Sequence, residues 1–219
     1  MADYHFDDAA ADRAVEFIER FCTHVKGELG GKPFLLEKWQ KDDIIRPLFG
    51  WKKEDGTRRY RTCYVEIPRK NGKSNLSAAI ALYMLFADGE PGAEVISAAG
   101  DRGQANIVFN IAQEMINNSR HLRSRARVLR NVVQYKSSWY KSISAEAYTK
   151  HGLNCHAVIF DELHTQPNRD LWDVLTTSTG ARRQPLVMAL TTAGHDRASI
   201  CYEVHEYAKG VRDGVIDDD

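Results

Sequence analysis

Two short groups of residues carry the chemistry this sequence offers. The first is Gly72-Lys73-Ser74. A glycine lets backbone N–H groups close around a phosphate, and a helix that starts there turns its positive dipole end toward the same anion. Lys73 would then reach the terminal phosphates of a nucleotide, and Ser74 would bind Mg²⁺. The full pattern G-x-x-x-x-G-K-[ST] needs an earlier glycine where Ile67 stands. The surviving triplet alone would arise by chance in roughly one chain in ten of this length. The second group is Asp161-Glu162, about ninety residues further on. Of two adjacent carboxylates, Asp161 suits the ligand shell of Mg²⁺ and Glu162 suits orienting or deprotonating an attacking water. Together the two groups point to a nucleotide hydrolase.

Such groups must be delivered to one place by strands and helices. Tyr64, Val65 and Ile67 suit a strand, Asn71-Gly72 a turn, and Ser74 to Phe86 carries apolar residues at helical spacing. Cys155 to Leu163 is a β-branched apolar run ending in the acid pair, as expected of a buried parallel strand with its carboxyl end at a ligand crevice. Ala93 to Ala98 and Pro185 to Thr192 read as further parallel strands. The expected fold class is α/β, a mostly parallel central sheet with helices on both faces.

The loop Pro68-Arg69-Lys70-Asn71-Gly72-Lys73-Ser74, the strand Val158-Ile159-Phe160-Asp161-Glu162 and the segment Leu190-Thr191-Thr192-Ala193-Gly194 together resemble the large terminase subunit of tailed bacteriophages. That family packages viral DNA with an amino-terminal ATPase motor and cuts it with a carboxyl-terminal nuclease. Its phosphate loops lack the first glycine and carry an early arginine, so Ile67 and Arg69 fit it. The resemblance implies a P-loop NTPase fold with ATP and Mg²⁺ as cofactors. It implies that Arg69 senses or stabilises the γ-phosphate beside Lys73, and that Gln40 recognises adenine. It also implies that Thr192 lies in a coupling motif, Thr191-Thr192-Ala193-Gly194, relaying hydrolysis to movement. Lys70 either joins the phosphate site or points outward. The implied partners are double-stranded DNA, the portal protein, the small terminase subunit and further copies of the chain in a ring, in the cytoplasm of a bacterial host. Residues 1–219 would be the motor domain, with a helical, adenine-binding segment over about 1–50, and the residues after Asp217 leave no room for the nuclease. An excised motor domain is expected over a truncated gene product. The alternatives are a helicase-like DNA-remodelling ATPase, which would unwind a forked duplex, and a nucleotide-dependent assembly module that binds ATP without turnover.

The 219 residues suffice for a sizeable core and one α/β domain. Thirty basic against thirty acidic side chains leave no net field to hold nucleic acid at long range, so DNA contact must be local. Four scattered cysteines, Cys22, Cys63, Cys155 and Cys201, argue against a zinc site or a disulfide scaffold. No apolar run reaches transmembrane length, and the acidic start MADYHFDDAAADR does not suit a signal peptide. From Arg120 to Arg130 five arginines fall in eleven residues. They are either solvated surface or a source of DNA contacts or of an arginine finger for a neighbouring subunit, with Arg123, Arg125 and Arg127 as candidates.

Elsewhere, Asp7 is expected to cap a helix ending near Gly27, and Leu48–Trp51 to pair with Arg58–Val65 across an Asp55-Gly56 turn. Ile107, Val108, Ile111 and Met115 should face inward from a helix that Asp101 could cap. Val132 to Tyr148 should form short strands, and Ser199 to Lys209 a last helix. His164 is expected at the surface or in a cap.

Overall fold

A computed structural model describes residues 4–145, 152–194 and 196–217. The first elements are β1 (Tyr4–Phe6), α1 (Asp8–Phe21), a π-helical turn Gln40–Ile45 running into α2 (Arg46–Gly50), and β2 (Trp51–Lys53). Then come β3 (Thr62–Glu66), α3 (Lys73–Phe86), β4 (Glu94–Ala99), α4 (Arg102–Asn118) and α5 (Arg120–Arg123). The chain continues through β5 (Arg127–Leu129), β6 (Val132–Tyr135), β7 (Ser138–Ser144), β8 (Ala157–Asp161), α6 (Asp170–Thr177), β9 (Leu186–Thr191) and α7 (Ile200–Arg212).

Seven strands form the central sheet in the order β3-β9-β8-β4-β7-β6-β5. The five from β3 to β7 are parallel, and β6 and β5 extend the sheet antiparallel. Parallel strands are covered on both faces, and here alternate residues of the same strands enter two cores. Val95, Ile159 and Met188 pack with α1, α3 and α4, whereas Ile96, Val158, Phe160 and Val187 pack with α6 and α7. Helix α3 is apolar all round, with Leu76 and Ser77 through Leu85 buried, because it lies between the sheet and α1 and α4. Its amino end must therefore stay where the sheet puts it.

The amino-terminal end of the sheet is closed by a buried charge cluster. Arg58 bonds Asp88 at 2.7 Å and also the Gln184 carbonyl, and His156 Nε2 lies 2.7 Å from the other Asp88 oxygen. Burial would raise the Asp88 carboxyl, but Arg58 and His156 outweigh it and hold the group below the usual carboxylate range.

Several local expectations are corrected. Asp7 does cap α1, accepting from Ala10 N at 2.9 Å, but the helix stops at Phe21 because Cys22 turns extended and donates back to the Ile18 carbonyl. Val25, inside the expected helix, lies in a loop instead. Leu48 to Gly50 is helix rather than strand, since Pro47 sits in the first turn of α2, where its missing N–H costs nothing. Of the expected hairpin only the Lys52–Arg58 bridge forms, and β2 pairs with β1 instead. Asp101 caps α4, yet Ile107 is 38% exposed while Val108, Ile111 and Met115 are buried. Residues 146–148 of the strand-rich tract and the last two aspartates lie outside the described residues.

Candidate active site

Strand register brings the chemistry to one edge of the sheet. Glu66 pairs with Thr191 across β3 and β9, and Leu190 pairs with Asp161 across β9 and β8. The ladder runs one step past each end, Ile67 N donating to Thr191 O at 3.0 Å and Glu162 N to Leu190 O at 2.8 Å. The loop after β3, the acid pair after β8 and the threonines ending β9 therefore emerge side by side at the carboxyl ends of parallel strands, where open α/β sheets form ligand crevices.

The loop is wound tightly. Lys70 and Gly72 both have positive φ, 69° and 74°, and Gly72 starts α3 in the left-handed region that suits glycine. Asn71 Nδ2 donates to the carbonyls of Pro68 and Arg69 at 3.2 and 3.3 Å, so its side chain closes the loop. Lys73 is buried, and its Nζ donates to Pro68 O at 3.2 Å and Ile67 O at 3.4 Å while standing 3.7 Å from Glu162 Oε1. The ammonium thus lies between the loop and the acids. Gln40 is only 3% exposed, not a surface residue. Its Oε1 accepts from Glu37 N at 3.0 Å, and its Nε2 lies 3.6 Å from where a Cβ on Gly72 would stand.

Across the crevice Ser74 Oγ donates to Asp161 Oδ2 at 3.3 Å, joining residues 87 positions apart. The other Asp161 oxygen is buried without a hydrogen-bond partner. Burial, and then the neighbouring Glu162 charge, push the Asp161 carboxyl up to about 6. A buried carboxylate with one oxygen unsatisfied and a hydroxyl beside it is a donor set that fits a hard divalent cation. Glu162 takes a φ of 53°, strained for a residue with a side chain, and its Oε2 accepts from Thr192 N and Oγ1 at 3.4 and 3.3 Å.

Lys73 meets Glu162, Ser74 meets Asp161 and Thr192 meets Glu162, so these five residues share one site. Arg69 and Lys70 are exposed at the rim of a cavity of about 300 Å³ that Gly72, Lys73, Ser74, Glu162, Val25 and Lys26 also line. Arg69 reaches a second cavity of about 610 Å³ with Glu66, His164 and Thr192. Two features escaped sequence reasoning. Lys26, in the loop after α1 ends at Phe21, lines the cavity beside Gly72, Lys73 and Ser74. His164 is half-buried against Glu162, Thr191 and Thr192 rather than at a free surface, and its position two residues past the acid pair was the available signal. The arginine run stands apart, on α5 and at β5. Four strand steps, roughly 19 Å, separate β5 from β8, and none of Arg123, Arg125 and Arg127 lines either cavity.

No helix among the described residues is long and apolar enough to cross a membrane. All four cysteines are free thiols, Cys63 partly and the others fully buried.

Comparison with known proteins bears on the family and the fold. Residues 38–210 match the family model for the ATPase domain of the terminase large subunit. The chain is 32% identical over 196 residues to the terminase large subunit of Enterobacteria phage HK97, covering 86% of this chain and 38% of that protein. It therefore spans well under half of that relative. The crystal structure of the HK97 large terminase superposes with a TM-score of 0.79 at 30% identity, over 93% of this chain and 42% of that one. The ATPase domain of the Thermus phage P74-26 large terminase shares the fold alone, with a TM-score of 0.50 at 20% identity over 65% of this chain and 61% of that one. The crevice at the strand ends, the family match over most of the chain and the HK97 likeness lead to one conclusion: this chain belongs to the terminase large subunit family, in its ATPase domain.

Proposed function

We propose that residues 1–219 act as a Mg²⁺-dependent ATPase motor driving double-stranded viral DNA into a procapsid. The observation that carries this reading is the convergence of Ser74 on Asp161 and of Lys73 on Glu162 at one sheet edge, at 3.3 and 3.7 Å. Ser74 and Asp161 would hold Mg²⁺. When bound, that ion would neutralise charge on the phosphate oxygens of the substrate. Lys73 and the backbone amides around Gly72 bind the phosphates, Arg69 approaches the γ-phosphate from the rim, and Lys70 and Asn71 complete the loop. Gln40, from the segment over about 1–50 and buried beside Gly72, would read adenine through an amide that both donates and accepts. Glu162 orients the attacking water and takes its proton, and Thr192, bonded to that carboxylate, passes the state of the site to β9.

With a balanced net charge, DNA contact falls to local patches. The run containing Arg123, Arg125 and Arg127 lines neither cavity of its own crevice, which supports a role toward DNA or in a neighbouring subunit's site. The wider reading places a ring of such chains on the portal protein, with the small terminase subunit, in the host cytoplasm.

The test is Glu162→Gln. It should bind ATP as the wild type does and hydrolyse it about 100-fold more slowly, the scale of losing a general base. Unchanged single-turnover hydrolysis would remove Glu162 from the mechanism, and unwinding of a forked duplex would favour the helicase alternative.

A further inference from the structure

The imidazole of His164 meets the site through a single atom. Nδ1 lies 3.0 Å from Thr191 Oγ1, 3.3 Å from Glu162 Oε2 and 3.4 Å from Thr192 Oγ1. The hydrogen-bond network assigns its proton. Thr191 Oγ1 has the Thr192 carbonyl, which can only accept, at 2.9 Å as an outlet for its one hydroxyl hydrogen. The Glu162 carboxylate at 3.3 Å from Nδ1 can likewise only accept, so a hydrogen on Nδ1 suits both neighbours, whereas a bare Nδ1 would set its lone pair against a carboxylate oxygen. The ring therefore carries its hydrogen on Nδ1, within reach of both Thr191 and the Glu162 carboxylate.

This gives the two oxygens of Glu162 different environments. Oε2 faces the Thr192 amide, the Thr192 hydroxyl and the His164 N–H. Oε1 faces Lys73 Nζ at 3.7 Å, on the nucleotide side. The backbone of Glu162 is strained, and the turn after it is held by Thr165 N and Oγ1, each 2.8 Å from the Glu162 carbonyl. Strain at a reacting residue persists only where its surroundings over-determine the conformation. His164 is the ring that joins that turn to the end of β9.

We propose that His164, as the Nδ1–H tautomer, is a positioning residue that anchors Oε2 of Glu162 to Thr191 and Thr192 and so aims Oε1 at the attacking water. The inference rests on Glu162 acting as the general base. It makes the aim of that base depend on the strand end that also carries the coupling threonine.

The experiment compares His164→Ala, His164→Asn, His164→Gln and Glu162→Gln in the 219-residue chain, by single-turnover ATP hydrolysis, ATP affinity and melting temperature. The asparagine amide nitrogen takes the place of Nδ1, whereas the glutamine amide falls where Nε2 lies. His164→Ala should slow the chemical step about ten- to a hundredfold, the scale of one donor to a charged acceptor, with affinity nearly unchanged. His164→Asn should recover the rate to within about threefold of wild type, and His164→Gln should stay slow. Independently of turnover, ¹⁵N spectra should show the ring protonated at Nδ1. A wild-type rate in His164→Ala with a slow Glu162→Gln overturns the positioning role and leaves the base in place. A wild-type rate in Glu162→Gln removes the base itself. Equal slowing in the alanine and asparagine variants, or a ring protonated at Nε2, also overturns the proposal.

Discussion

Asp161 offers a direct measure of what the site costs the fold. Its carboxyl is raised from 3.8 to about 6, first by burial and then by Glu162. At about 1.4 kcal/mol per unit, a displacement of roughly two units corresponds to about 3 kcal/mol. The folded pKa lies above the unfolded one, so the native state holds this proton more tightly. The associated stability is complete below about 3.8 and is lost as pH rises through about 6. Near pH 7.5 the fold therefore carries a charge it would be more stable without. Asp161→Asn removes that charge at nearly constant shape. The variant should exceed the wild type at pH 7.5 by about 2–3 kcal/mol, or roughly 5–10 °C in melting temperature for a chain of this size, while failing in turnover. Near pH 4 the two should converge. Urea unfolding across pH 4 to 8 measures this, and adding Mg²⁺ with ATP at pH 7.5 should narrow the gap by stabilising the wild type more. Equal midpoints at pH 7.5, or a less stable Asp161→Asn, would refute the reasoning.

Two further outcomes concern the loop and the far end of the sheet. Gly72→Ala forces a side chain into the left-handed region at a φ of 74°, although the added Cβ would meet only Gln40 Nε2 at 3.6 Å. It should cost about 1–2 kcal/mol in denaturant unfolding and weaken ATP binding measurably, and unchanged values for both would remove the argument from loop geometry. Arg58→Leu strands the buried Asp88 carboxylate, whose other side-chain ion partner is His156, and should lose about 3–5 kcal/mol. Adding Asp88→Asn to Arg58→Leu should return part of that loss, because the uncompensated charge is then gone. Strict additivity of the two changes would show that the cluster is not coupled.

Much of the site was legible because its groups are local in sequence. Lys73 and Ser74 follow directly on a positive-φ glycine at a helix start, and Asp161-Glu162 end a continuous apolar run, so residue type and neighbour chemistry were enough to nominate them. Gln40 was not legible as buried, since neither its polarity nor its neighbours foretell that it packs beside Gly72. Leu48 and Phe49 were misread as strand because short apolar runs carry no period, and Pro47 at a helix start decided the matter. The expectation of a surface or cap position for His164 rested on its own segment alone, where Glu162 is its one side-chain contact. Its other partners, Thr191 and Thr192, arrive from a strand nearly thirty residues later.

By itself, the chain's order of residues determined an α/β protein with a phosphate loop, a paired acid strand and a likeness to packaging motors, because each rests on a short run whose apolar pattern and turn chemistry are self-contained. Only the tertiary structure decided strand order and register. Placing β9 between β3 and β8 brings Thr192 onto Glu162, leaves Asp161 buried with one oxygen unmatched, and sends the arginine run to the opposite edge. The physical reason is that parallel strands pair through crossovers tens of residues long. Which side chains then meet is set by packing of whole faces, and no local stretch of sequence records that.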